Sequence, residues 1–502
     1  MSPVSRSRRL WVVVSAVAAI ALVPTGASAQ NAIRQETVAE INRYVEAQLD
    51  QNGVPGAALA IVERGRAVEL RGFGTARDDE PATAETPFLI GSVTKSFTSL
   101  AVMELVEDGE IELDAPITRY LPWFEVRPSA DTDAVTVRHL LNQTSGLSTQ
   151  AGGAELRYLE DESILATAES LIGSELQSEP GTEFEYANAN LVLLGAAIEA
   201  ASRESYQGFV QTRILDPLGM RSTYLALEPA RDAGMADGHR YWFGWTAPHT
   251  SFAEGLIPAG GVISTAEDMA RYMRMFLNHG ELDGERILSR AGIETLQMPV
   301  AAAELGPWAR DRDAAYAMGL FVGSGPFGSE PAVFHPGGSP DFGAMMVLLP
   351  DREQGLTLLY NATPEINLPG AAGALDRIPA GAVSILIGAE PATGWSMHDY
   401  YLAFDAITLA LFALALWALV RAIRRAPAPA PSRLRRAVRV TRAAGALLLG
   451  ALLIAAPILT GVGWRVMFLS VPDLALVLAA LGALLVATGA VRLVRLMRIA
   501  TV

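Results

Sequence analysis

The chain of 502 residues contains no cysteine. A disulfide, a zinc–thiolate centre and a cysteine nucleophile are therefore excluded. Lysine is almost as scarce: Lys95 stands alone, and the other 38 basic side chains are arginine. Arginine keeps its proton in a protein, whereas a desolvated lysine gives it up readily and can then act as a base. A chain that otherwise avoids lysine has kept one where arginine would not serve. Positive charge is also thin over most of the length. Residues 30–398 carry 24 basic and 51 acidic side chains, a net of −27, which argues against nucleic acid and anionic membrane surfaces as partners. Paired carboxylates for glycosidase or metal chemistry are not evident, and no metal or cofactor is implied.

Half the residues are hydrophobic, and the excess gathers at the two ends. Arg6, Arg8 and Arg9 precede an apolar run at 10–23, and Ala27-Ser28-Ala29 follows as an A-x-A site. This is the pattern of an export signal, 1–29, cleaved before Gln30. The alternative is an uncleaved anchor, for which the run is short of the roughly 20 residues a span needs. At the other end, 399–502 form a membrane region with apolar runs at 400–420, 443–463 and 474–491. Eight arginines lie in 421–442, and Arg492, Arg495 and Arg498 follow the third run. With 30–398 outside the cytoplasm, every arginine cluster falls inside and only Arg465 falls outside, as the positive-inside rule requires.

Residues 30–398 read as one globular domain. Helical periodicity runs over 33–49, and 56–74 predicts a hairpin turning near Gly65. A helix is expected over 93–107, ended by Gly109, so Ser92 stands at a helix start, where outward-pointing N–H groups favour developing negative charge. From there to about 289 the pattern is mostly helical. It includes 136–147, with His139 inside an apolar helix, and a capping box from Ser264 to Glu267. Strands are expected at 317–322, 333–335, 344–349 and 355–360. Strands at both ends around a helical middle suggest a sheet closed by the first and last segments.

Three short motifs carry the chemistry. Ser92-Val93-Thr94-Lys95 places a hydroxyl and an amine on one helix face, a nucleophile-plus-amine pair suited to acyl transfer. Tyr186-Ala187-Asn188 ends an extended piece before a helix, and His335-Pro336-Gly337 ends a strand pattern. In this order, S-x-x-K, Y-x-N and H-x-G resemble the three motifs of the serine β-lactamase and penicillin-binding-protein superfamily. The likeness is closest to its class C-like branch of D,D-carboxypeptidases, D-amino-acid peptidases and esterases. Flanking stretches at 88–116, 137–147 and 258–268 resemble that branch too, and the likeness covers about 36–360.

The resemblance implies an α/β fold: an antiparallel sheet flanked by helices, with an all-helical subdomain, here followed by three transmembrane helices. It implies that Ser92 attacks a carbonyl and that Lys95, deprotonated by burial, takes the serine proton. Tyr186 would relay that proton to the leaving group, and Asn188 would hold Lys95 or the substrate amide. The N–H groups of Ser92 and Gly338, beside Gly337, would bind the oxyanion, and His335 would stand where β-lactamases keep a lysine. Each has a plainer alternative: Tyr186 as packing, Asn188 as a helix cap, His335 and His139 as core histidines. Pro336 replaces a threonine hydroxyl that helps bind a substrate carboxylate, and histidine is mostly neutral near pH 7. Both changes argue against efficient β-lactam hydrolysis and leave acyl transfer intact. The expected protein is an exported, membrane-anchored serine hydrolase acting on a small peptide, an ester or a β-lactam-like substrate, its catalytic domain periplasmic or extracellular. The rivals are a penicillin- or peptide-sensing receptor without turnover and a catalytically idle membrane scaffold.

Overall fold

A computed structural model describes residues 33–151, 163–299, 314–363, 372–424, 432–460 and 462–500. The expected export signal lies outside the described residues, as do 425–431 of the arginine-rich loop.

Helix α1 (Gln35–Asn52) ends at Gly53, whose left-handed φ of 66° closes it. A hairpin of β1 (Gly56–Glu63) and β2 (Arg66–Arg77) follows. Arg64 and Gly65 turn it, both at positive φ, as two-residue turns matched to strand twist require. Next come helices α2 (Thr94–Glu107) and α3 (Asn188–Ser202), a second hairpin of β3 (His239–Trp242) and β4 (Trp245–Pro248), and helix α4 (Ala266–Leu277). Strands β5 (Ala314–Tyr316), β6 (Phe321–Gly323), β7 (Ala332–Gly338), β8 (Gly343–Leu349) and β9 (Gln354–Tyr360) precede helix α5 (Ala372–Ile387).

The main sheet is antiparallel with order β5-β6-β7-β8-β9-β1-β2 and a two-residue edge strand, Glu80–Pro81. The first and last long strands are thus neighbours, Ala57 facing Tyr360 and Glu63 facing Gln354. Strand β1 is buried along its whole length, so both faces are apolar, and the two-residue period divides them. Ala57, Leu59 and Ile61 pack with α1 and α5, while Ala58, Ala60 and Val62 face the layer of α2 and α4. Helices therefore cover both faces of the sheet. Helix α2 is buried from Thr94 to Leu105; a helix enclosed all round lies at the centre of its layer. That is why the lone lysine, at its second position, is out of water.

The middle of the chain departs from the helical expectation. The hairpin β3–β4 lies there and pairs with Ala362–Thr363 in a small sheet of its own. Its alternation is only four residues deep, too short to stand out. Of the expected strand at 317–322 only 321–322 are strand, in β6; residues 317–320 form the turn that joins β5 to β6, closed by Ala317 N donating to the Leu320 carbonyl at 2.8 Å. The helix around His139 is a single short one (Val137–Leu141), and His139 forms a capping box with Thr136 at its start. Farther on, Thr265, not Ser264, caps α4. Asp268 is buried and accepts from Ser222 N and Thr223 Oγ1, at 2.8 and 2.9 Å.

Among the described residues, three helices are long and apolar enough to cross a membrane: α6 (Met397–Arg424), α7 (Arg433–Leu459) and α8 (Pro472–Ala500). A short helix, Gly463–Ser470, stands between the last two, where hydropathy alone gave no element. Helices α7 and α8 approach through glycine, since a Cβ on Gly450 would lie 2.6 Å from the Gly482 carbonyl. Arg492 donates to the Arg442 carbonyl and Arg495 to that of Ile423, so the arginine-bearing ends of all three helices lie together.

Candidate active site

Ser92 sits in one turn of 3-10 helix, Gly91–Val93, that runs directly into α2. Two glycines bring β7 against this turn. Gly91 has φ 52°, and a Cβ there would come 2.6 Å from Gly338 N; a Cβ on Gly337 would come 2.0 Å from the Ile90 carbonyl. No side chain fits at either place.

Lys95 is fully buried. Its Nζ donates to Ser92 Oγ at 3.0 Å, to Asn188 Oδ1 at 2.9 Å and to the Ala259 carbonyl at 2.6 Å. The last two are acceptors only. An ammonium serves all three; a neutral amine gives its two N–H groups to Asn188 and Ala259 and turns its lone pair on Ser92. Helix α2 itself fixes the Ala259 carbonyl, through Thr98 Oγ1 donating to the Pro258 carbonyl at 2.6 Å and Thr94 Oγ1 accepting from Val262 N at 3.1 Å. Buried hydroxyls on a central helix thus clamp the third partner in place.

Tyr186 and Asn188 are set by Gln143. This buried residue, in left-handed backbone at φ 60°, accepts at its side-chain oxygen from Ala187 N at 2.9 Å and Asn190 Nδ2 at 2.6 Å. Its backbone carbonyl accepts from Glu185 N at 2.9 Å. Such strain persists only where the surroundings hold it. Asn188 opens α3 but does not cap it: the cap position is Ala187, with no side-chain bond. The Tyr186 ring is half-buried, its centroid 4.8 Å from Lys95 Nζ and 6.1 Å from the His335 ring.

His335 is buried among Tyr186, Tyr316 and Phe321. Nδ1–H donates to the Pro336 carbonyl at 2.6 Å, and Nε2 has no hydrogen-bond partner among the described residues. Burial, reinforced by the charge of Lys95, pushes its pKa down to about 3. The ring is therefore neutral at working pH.

Ser339 N donates to the Phe342 carbonyl at 2.9 Å, making 339 and 342 a hydrogen-bonded pair. Pairs alternate along an antiparallel ladder, so Gly338 and Gly343 form a non-bonded pair and Gly338 N–H points away from β8. Pro336 shares that parity, so its missing N–H costs no bond to β8. On β7, strand β6 reaches only residues 332–334, which leaves the Gly338 N–H side open toward Gly91 and Ser92.

The cleft in front of Ser92 encloses about 110 Å³ between Tyr186, Asn188, Gly338, Ser339 and the 251–253 loop. Asp341, fully buried, secures that loop: one oxygen meets His249 Nδ1 at 2.6 Å, the other accepts from Ser251 N and Oγ at 2.7 and 2.9 Å. Ser92, Tyr186, Asn188 and Gly338 line one cleft, with Lys95 buried against Ser92 and His335 buried beside Tyr186, while His139 stays out of it, its Nδ1 on the Ala134 carbonyl at 3.1 Å. Gln143, Ala259, His249 and Asp341 are the additions. The first two lie in the flanking stretches 137–147 and 258–268; the last two, 92 residues apart, carry no local signal.

The family model named Beta-lactamase matches residues 41–378. The chain is 26% identical over 331 residues to Protein flp of Staphylococcus aureus strain N315, covering 65% of this chain and 63% of that protein, so it spans under two thirds of that relative's length. It is 27% identical over 366 residues to a β-lactamase of Escherichia coli K12, covering 68% of this chain and 93% of the relative. Among solved structures it resembles the octameric penicillin-binding protein homologue from Pyrococcus abyssi, with TM-score 0.60 and 28% identity over 70% of this chain and 78% of the other. The fold is also that of EstCE1, a hydrolase with promiscuous acyltransferase activity, with TM-score 0.60 and 20% identity over 70% of this chain and 99% of the other.

Proposed function

The chain belongs to the β-lactamase family of serine hydrolases, and from that premise we propose that it hydrolyses an ester or amide through an acyl-enzyme on Ser92. The observation that carries this reading is the position of Lys95 Nζ, 3.0 Å from Ser92 Oγ and flanked by two pure acceptors. Lys95 accepts the Ser92 proton as Oγ attacks the carbonyl. The N–H groups of Ser92 and Gly338 receive the developing oxyanion. Tyr186, against Lys95, passes the proton to the leaving group as the carbonyl re-forms, and water then releases the acyl group by the same steps reversed.

The cleft edge beside His335 favours substrates without a carboxylate there. A neutral imidazole offers no fixed positive charge, and Pro336 offers neither hydroxyl nor N–H. Esters and small D-amino-acid peptides are thus turned over faster than benzylpenicillin. A panel of p-nitrophenyl esters, D-amino-acid amides and penicillins tests this on the full chain; comparable kcat/KM on penicillins and short esters would count against it.

The same reading makes 1–29 an export signal, 30–398 a catalytic domain outside the cytoplasm, and 399–502 the anchor. Support comes from the arginine-bearing helix ends lying together. A reporter fused after Val502 is expected to be active only inside the cell, and activity outside refutes the orientation.

A further inference from the structure

The hairpin β3–β4 takes no part in the chemistry, yet it ends in Trp242-Phe243-Gly244-Trp245. Its turn residues Phe243 and Gly244 both have positive φ, 46° and 80°. Glycine adopts this freely; a bulky aromatic residue does so only where its surroundings compensate. Here they belong to the apolar helices. The Phe243 ring meets Phe404 of α6 with centroids 6.2 Å apart, and Phe243 N donates to Asp473 Oδ2 of α8 at 3.4 Å. Tyr241 stacks on Tyr401 at 5.7 Å, with its hydroxyl on the Asn52 carbonyl at 2.6 Å. A Cβ on Gly244 would lie 3.1 Å from Tyr401 Cβ. The hairpin is thus fastened to the N-terminal ends of α6 and α8, opposite the arginine-bearing ends.

What this fastening leaves outside is tryptophan. Trp242 and Trp245 are cross-strand partners and are 38% and 78% exposed. Phe404 lies seven residues into α6, roughly 10 Å along its axis at 1.5 Å per residue. The tip therefore reaches alongside the apolar length of that helix. Trp395, 55% exposed, packs on Tyr400 near the same end. Tryptophan concentrates at the boundary between headgroups and acyl chains, where its ring is apolar and its N–H stays wet.

We propose that the Trp242–Trp245 edge of the hairpin is a lipid-contacting surface, seated at the headgroup–acyl boundary of the leaflet that holds the N-terminal ends of α6 and α8. It sets the catalytic domain at a fixed height. Ser251, in the cleft wall, is six residues beyond Trp245, a chain length of at most roughly 20 Å. The proposal rests on the three helices crossing a membrane, and the test separates the two.

The cysteine-free chain allows a single nitroxide at Trp245→Cys, with Leu448→Cys on α7 and Leu70→Cys on β2 as references, each in the full chain in phosphatidylcholine nanodiscs. Power saturation with oxygen and with a water-soluble nickel chelate reads immersion. The expected result is an oxygen-over-nickel accessibility at Trp245 several-fold above Leu70 and approaching Leu448. A value equal to Leu70, or shielding from both reagents by protein, overturns the proposal while a lipid-immersed Leu448 preserves the spanning helices. A water-exposed Leu448 overturns both. An independent check uses unlabelled protein: brominated lipid quenches wild-type tryptophan fluorescence more than that of Trp245→Phe, and equal quenching counts against the contact.

Discussion

His335→Phe isolates the electrostatic cost of a histidine enclosed by aromatic rings. The wild-type side chain is 1% exposed, and burial followed by the Lys95 charge pushes its pKa down to about 3, against about 6.5 in the unfolded chain. As pH falls through 6.5 the unfolded chain takes up a proton that the folded protein refuses until about pH 3. Stability present above pH 6.5 is therefore lost on acidification. Between pH 7.5 and 5 the loss from this residue is about 2 kcal/mol. For a domain of roughly 370 residues that corresponds to roughly 3 °C in Tm. Phenylalanine fills the cage without titrating, although it leaves the Pro336 carbonyl unpaired, a pH-independent cost of about 1–3 kcal/mol. Glu104, whose pKa burial raises to about 7 despite Arg213, shifts stability in the opposite sense but is common to both proteins and cancels. Differential scanning fluorimetry of the two detergent-solubilised proteins is expected to show the wild-type Tm falling relative to the variant by roughly 3 °C over this range. A constant difference would refute the buried, neutral histidine.

Two further outcomes concern how the cleft is built. Gly337→Ala places a methyl 2.0 Å from the Ile90 carbonyl and pushes the Gly338 N–H from Ser92, so acylation by a fluorophosphonate drops about 10²–10³-fold. Gly338→Ala meets nothing within 4 Å and keeps activity within a few-fold; equal effects of the two would contradict the close approach of β7. Asp341→Ala orphans His249 and Ser251, speeds amide hydrogen exchange at 251–256, and raises KM more than it lowers kcat. Unchanged exchange there would show that the carboxylate does not hold the loop.

The parts of this site that were legible in the sequence are local ones. Ser92 and Lys95 share a helix turn, and Tyr186 and Asn188 flank one residue, so spacing carries their relation. The sheet closing through β1 and β9 followed from strand patterns at both ends of the domain. The apolar runs that mark the three long helices were equally plain. What stayed hidden depends on tertiary contact. The Ala259 group that meets Lys95 is a backbone carbonyl, identical in any residue, and Asp341 reaches His249 across the fold. Helix α5 covers the sheet beside α1, but its sequence, with Pro379 inside, carries a breaker where a helix is continuous. The hairpin β3–β4 was lost in a helical background because Phe243 occupies a turn position that glycine or asparagine ordinarily signals.

Proton transfer from Ser92 to Lys95 stands or falls on Lys95→Arg. Arginine keeps the charge and approximate length but does not accept a proton. Wild type, Lys95→Arg and Ser92→Ala are treated with a fluorophosphonate, and adduct formation is followed by in-gel fluorescence and intact mass. General-base assistance alone is worth about 10²–10⁴-fold, so Lys95→Arg is expected to label no faster than the Ser92→Ala blank. A Tm recorded alongside guards against overpacking by the larger guanidinium. A folded Lys95→Arg protein that labels within a few-fold of wild type would mean that the lone lysine serves only as a charge, and the acyl-transfer mechanism built around it would be wrong.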